Sequence, residues 1–128
     1  MGYLELAQQL LESPQTLVAA LGDPDRRPLP RLAEATWRTV ASRAYYAALH
    51  RCREVVERRD GVPIGGRTIH AEVLGRLRGR PETEGTARQL DRLRGYRAHA
   101  DYNAERPFGL FEAQAAIGLA TDALRLLP

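Results

Sequence analysis

Between Leu32 and Arg59 the apolar residues Trp37, Ala41, Ala44, Tyr45, Ala48, Cys52 and Val55 recur at spacings of three and four over five turns. That spacing returns side chains to one face of a 3.6-residue helix, whereas a strand would scatter them over both faces of a sheet. A long helix with one apolar stripe must bury it against other elements, so the remaining chain has to supply partners. It supplies more helices. Tyr3 to about Leu11 has helical periodicity, and Ser13-Pro14 reads as an N-cap with proline at N1, opening a second short piece to about Leu21. Gly22 to Pro30, with three prolines and a glycine, reads as a loop. Thr68 is placed to cap a helix reaching about Arg78 with Ile69, Val73, Leu74 and Leu77 inward. Pro81 interrupts the chain, and further helices are expected from about Glu84 to Tyr102 and from about Leu110 to Leu127.

No segment alternates as a half-buried strand does. Long amphipathic helices joined by short connections imply an all-α, up-and-down bundle of four to five helices. With 128 residues, 44% hydrophobic and 27% charged, the chain suits a single soluble domain over 1–128 with an adequate core. The lone Cys52 excludes an internal disulfide framework and suits a reducing cytoplasm, the expected location. The N-terminus MGYLELAQQLLES does not read as a secretory signal, and no apolar run approaches the roughly 20 residues of a membrane span. All 19 basic residues are arginine, and the net charge of +3 mildly favours an anionic partner such as RNA.

One helix breaks its own pattern. On a wheel of residues 86–103, Ala87, Leu90, Leu93 and Ala100 share a side with Arg94, Arg97 and Asp101. Charge on a core-facing side is costly unless it is paired or meets water or ligand in a crevice. Arg97 and Asp101 stand one turn apart and can pair. Such conflict between a local rule and its placement marks a place to look for function.

On the long helix, Arg43, Tyr46 and His50 form a second stripe away from the apolar one, extended by Thr39 and Arg53. A solvated face is the plain reading; a ligand or dimer cleft is the alternative, because tyrosine and arginine are favoured at interfaces. Arg94 and His99 suggest metal-independent RNA cleavage, with His99 moving the 2′-hydroxyl proton and Arg94 holding the phosphate. They stand about 140° apart on a straight helix, so they would have to act across a dimer cleft. A partly exposed helix histidine is the plainer reading of His99. The histidines at 50, 70 and 99 and the single cysteine match no metal-ligand spacing, and no cofactor motif is present: GVPIGG lacks the strand context of a phosphate loop.

Two ordered segments resemble a known family. Ser42–His50, SRAYYAALH, resembles the RAYYA-FH-like hallmark of the HEPN superfamily, and Arg97–Tyr102, RAHADY, resembles its later R-x3-D-Y signature. The LELAQQLLE and TIHAEVLGRL stretches occupy matching places before and between them. The resemblance implies a HEPN-like helical bundle that forms a homodimer and partners a small nucleotidyltransferase, often as a toxin–antitoxin pair. HEPN ribonucleases carry an arginine and a histidine four to six residues apart, a register that Arg94 and His99 meet. In the alternative register, Arg97 is the motif arginine, with Asp101 and Tyr102 completing it, and the domain binds nucleotide or RNA without cutting. A toxin subgroup carries a tyrosine that its partner adenylylates, and Tyr102, three residues after His99, is the residue closest to that place.

Overall fold

The computed structural model describes residues 28–66 and 68–128, so the helix expected over Tyr3–Leu11 and the piece ending near Leu21 lie outside the described residues. Four helices follow in order: α1 (Pro28–Asp60), α2 (Ile69–Arg78), α3 (Pro81–Tyr102) and α4 (Leu110–Leu126). No strand occurs among the described residues. The sequence reading starts α1 at about Leu32 and treats Pro30 as loop, but α1 begins at Pro28. Proline costs nothing in a first turn, where the missing N–H would have no intrahelical partner. The same chemistry makes Pro81 an opening residue of α3, three residues earlier than expected. Thr68 stands at the N-cap of α2, but its side chain makes no capping bond; its φ of −116° and ψ of 32° depart from the extended backbone that aims a cap.

The core gathers Ala41, Ala44, Tyr45, Ala48 and Cys52 of α1 with Val73 and Leu77 of α2, Ala87, Leu90, Leu93 and Ala100 of α3, and Ala116 and Ala120 of α4. At the far end of α1 the buried residue is Val56, not Val55. The four-residue step from Cys52 turns the buried face toward Arg53, whose Nη2 donates to the Ile64 carbonyl at 2.6 Å, and Ile64 closes the core there. Alanines along α1 and α4 keep the side chains between them short, which favours close approach of the axes.

Cross-helix bonds fix the chain directions. Arg38, early in α1, reaches His99 and Ala100 at the end of α3, while Arg59 reaches Thr83 at its start, so these helices are antiparallel. Thr86 bonds the Ala123 carbonyl at 3.2 Å, so α3 and α4 are antiparallel as well. The first connection departs from strict up-and-down alternation. Tyr45 meets His70 at the start of α2 and Arg59 meets Arg76 near its end, so α2 runs in the same sense as α1. Residues 61–66 return along α1, anchored by the Arg76 bond to Val62 and the Arg53 bond to Ile64. Gly61 (φ 68°) and Gly66 (φ 100°) take the left-handed backbone at either end of this return, where a side chain would be strained.

Candidate functional site

Arg97 projects from α3 to the margin of the core, where the RAYYA-like segment of α1 meets it. Its Nη2 donates to the Tyr46 hydroxyl at 2.8 Å. Its Nε lies 2.8 Å from Asp101 Oδ2, a close ion pair whose N–H is not aligned as a hydrogen bond. Three aromatic rings surround the guanidinium: its central carbon is 5.6 Å from the Tyr45 ring centre, 5.4 Å from Tyr46 and 5.1 Å from Tyr102. Such distances allow cation–π attraction, strongest where water is scarce. Burial works against the charge on Arg97, but Tyr46, Asp101 and Tyr102 together outweigh it and raise its pKa. The expected pairing of Arg97 with Asp101 is therefore present, within a larger assembly spanning two helices.

Behind this assembly, the Tyr45 hydroxyl bonds His70 Nδ1. Burial pushes the Tyr45 phenol up to about 12, although Arg97 and Arg94 pull the other way. His70 is shifted toward its neutral form, first by burial and then by Arg94. Its Nε2 is buried without a hydrogen-bond partner among the described residues.

In front lies a groove of about 280 Å³ lined by Arg38, Thr39, Ser42, Arg43, Tyr46 and Asp101. Most of the α1 stripe is here. Thr39 and Tyr46 line the groove, Arg43 stands exposed at it, and the exposed His50 sets its ring 6.4 Å from that of Tyr46. Arg53, at the end of the stripe, serves structure instead: it pairs with Glu57 at 2.6 Å and holds the return loop.

Arg94 and His99 are not brought together within the chain. Arg94 is exposed rather than core-facing, because its long side chain carries the charge outward past Leu93, and its field is felt at Tyr45 and His70. His99 turns to the opposite side of α3, edge-on to Phe108 with ring centres 5.2 Å apart. Its Nε2 is buried and unpartnered among the described residues. The 140° separation on the wheel thus survives in three dimensions.

Sequence reasoning missed Arg38, Ser42 and the Tyr45–His70 pair. Arg38 lines the groove and is a hub of bonds to α3 and the segment after it. Its Nη1 donates to the carbonyls of His99 (3.0 Å), Ala100 (2.9 Å) and Asn103 (3.4 Å), and its Nη2 to Glu34 (2.8 Å) and the Arg106 carbonyl (2.6 Å). The local signal was Glu34 one turn before it, a spacing that marks a helix pair but not a long-range clamp. Among the described residues, no cluster of three histidine, cysteine or acidic side chains could hold a metal, and no helix is long and apolar enough to cross a membrane.

Comparison of the chain with protein-family models, curated proteins and solved structures found no match. The geometry therefore stands by itself: a helical bundle with an arginine–tyrosine–aspartate assembly beside a basic-edged groove.

Proposed function

We propose that this chain is a HEPN-like module that binds the phosphate of a nucleotide or RNA in the α1–α3 groove without cutting it. As such a module it would form a homodimer and partner a small nucleotidyltransferase. The observation that carries the reading is the assembly around Arg97, which joins the two HEPN-resembling segments through the Tyr46 hydroxyl and Asp101. Arg97 braces the groove wall, and Arg43 at the groove supplies the fork for a phosphate. Arg94 and His99 form no cleavage pair within one chain, whereas the Arg97 assembly and Arg43 stand together at one groove, and the binding reading rests on that groove. Tyr102 and Phe111, each 73% exposed, offer apolar surface to a second copy near the end of α3 and the start of α4. Before a second copy covers it, that exposure leaves Tyr102 open to a nucleotidyltransferase.

The test is to incubate purified protein with labelled single-stranded RNA in EDTA, following anisotropy and RNA length together. Binding with intact RNA, weakened about tenfold or more in Arg43→Glu, is the expected result. Cleavage that disappears in His99→Ala would transfer the assignment to the ribonuclease toxin reading. Absence of both binding and cleavage, with RNA and with free nucleotides, would refute the proposal.

A further inference from the structure

A second groove, of about 300 Å³, lies on the other side of α3 and is lined by Arg92, Gly95, Tyr96, His99 and Arg106. Residues 92, 95, 96 and 99 follow the i, i+3, i+4, i+7 pattern, so one face of α3 builds most of it. The Arg92 and Arg106 side chains are exposed and have no ion-pair partner among the described residues. Many other arginines of the bundle are paired or bonded, including Arg38, Arg53, Arg59 and Arg76. Gly95 leaves a gap between them: a Cβ built there would meet nothing within 4 Å. Glycine in an exposed helix interior costs stability relative to alanine, and here that cost preserves open space.

The floor of this groove is held rigidly from the far side. Arg38 bonds the carbonyls of both His99 and Arg106, so one side chain ties together the two ends of the segment that shapes the groove. Phe108 fixes the His99 ring edge-on, and Arg38 in turn stands 5.5 Å from the Phe108 ring centre. His99 Nε2, buried and unpartnered among the described residues, is the kind of unsatisfied group that calls for an explanation beyond packing.

We propose that this second groove is a phosphate-binding site, with Arg92 and Arg106 holding the anion across the gap at Gly95 and the His99 ring beneath it. Two guanidinium groups match phosphate oxygens through charge-assisted, bidentate hydrogen bonds. The half-buried Tyr96 beside them offers an aromatic surface for a neighbouring base. The phosphate belongs either to a free nucleotide or to an RNA backbone; the chemistry of recognition is the same. This site is separate from the α1–α3 groove and does not depend on ligand binding there.

The full chain is titrated with inorganic phosphate, ADP and a short single-stranded RNA while the Gly95 amide and His99 ring resonances are followed by NMR. Saturable shifts of these two signals are expected. Gly95→Glu should weaken binding about tenfold or more, since it fills the gap and adds a repelling charge. The variant should fold, because glutamate forms helix better than glycine and the site is open, and circular dichroism checks this. Tighter, salt-dependent binding of RNA assigns the phosphate to a nucleic-acid backbone; equal binding of ADP assigns it to a free nucleotide. Absence of saturation with all three probes would overturn the proposal. So would shifts confined to Tyr46 and its neighbours, or unchanged binding in a folded Gly95→Glu protein.

Discussion

Replacing Arg38 by methionine removes the clamp while keeping a long apolar side chain of helix-forming character. The carbonyls it serves lie in and just beyond the last turn of α3, where a helix has acceptors and no donors of its own. His99 and Asn103 keep other partners, since their carbonyls also accept from the amides of Asn103 and Arg106 at 3.2 Å each. The loss therefore falls mainly on the Ala100 carbonyl, 2.9 Å from Nη1, and the Arg106 carbonyl, 2.6 Å from Nη2. A hydrogen bond from a charged donor contributes about 1.5–3 kcal/mol. The Arg106 bond is exposed, so water will replace part of it. The net cost is then about 2–4 kcal/mol, equivalent to a fall in Tm of roughly 10 °C for a chain of this size. Urea denaturation followed by circular dichroism measures it. Hydrogen exchange should accelerate from Asn103 to Phe108 before the rest of the chain. Arg38→Lys should recover only part of the loss, because one ammonium cannot span carbonyls on both sides of a planar fork. Arg51→Met is the comparison: its pair with Glu54, at 53% and 61% side-chain exposure, should be worth less than about 1 kcal/mol. If Arg38→Met cost no more than Arg51→Met, the clamp would be ornamental and the reasoning wrong.

Two further outcomes can be measured on the same footing. His70 has a folded pKa below its unfolded value, chiefly through burial, so its neutral form stabilises the fold. That contribution is complete above the unfolded pKa of about 6.5 and is lost as pH falls through the folded value, so stability should decline on acidification below about 6.5. His70→Gln should flatten this part of the urea-midpoint profile, and an equally steep profile in the variant would count against the assignment. Gly95→Ala should raise stability by up to about 1 kcal/mol, because the added methyl enters open space in a helix interior. A loss of stability there would mean that the second groove is more tightly packed than its geometry indicates.

Much of the bundle was legible from periodicity. Val73, Leu74 and Leu77 of α2, and Ala87, Leu90, Leu93 and Ala100 of α3, are buried as the spacing requires, while Ile69 at the start of α2 is only partly buried. The errors at Pro28 and Pro81 share one cause. Proline reads as an interruption from sequence alone, although it is well tolerated in the first turn of a helix. The direction of α2 was illegible for a different reason. A connection of eight residues between helices can turn tightly or run back along its helix, and the Arg53–Ile64 and Arg76–Val62 bonds that select the second course are long-range.

The candidate site divides in the same way. Local rules on one helix were enough to pair Arg97 with Asp101 and to separate Arg94 from His99, since both follow from the angle between residues. Nothing local could say that the other arm of Arg97 would bond Tyr46, 51 residues away, or that Arg38 would brace both grooves by bonding backbone 61 to 68 residues downstream. Helical periodicity is written in neighbouring residues and can be read from them. The partner of a long, flexible arginine is chosen only when packed helices bring a particular carbonyl or hydroxyl within about 3 Å, and that choice belongs to the folded bundle.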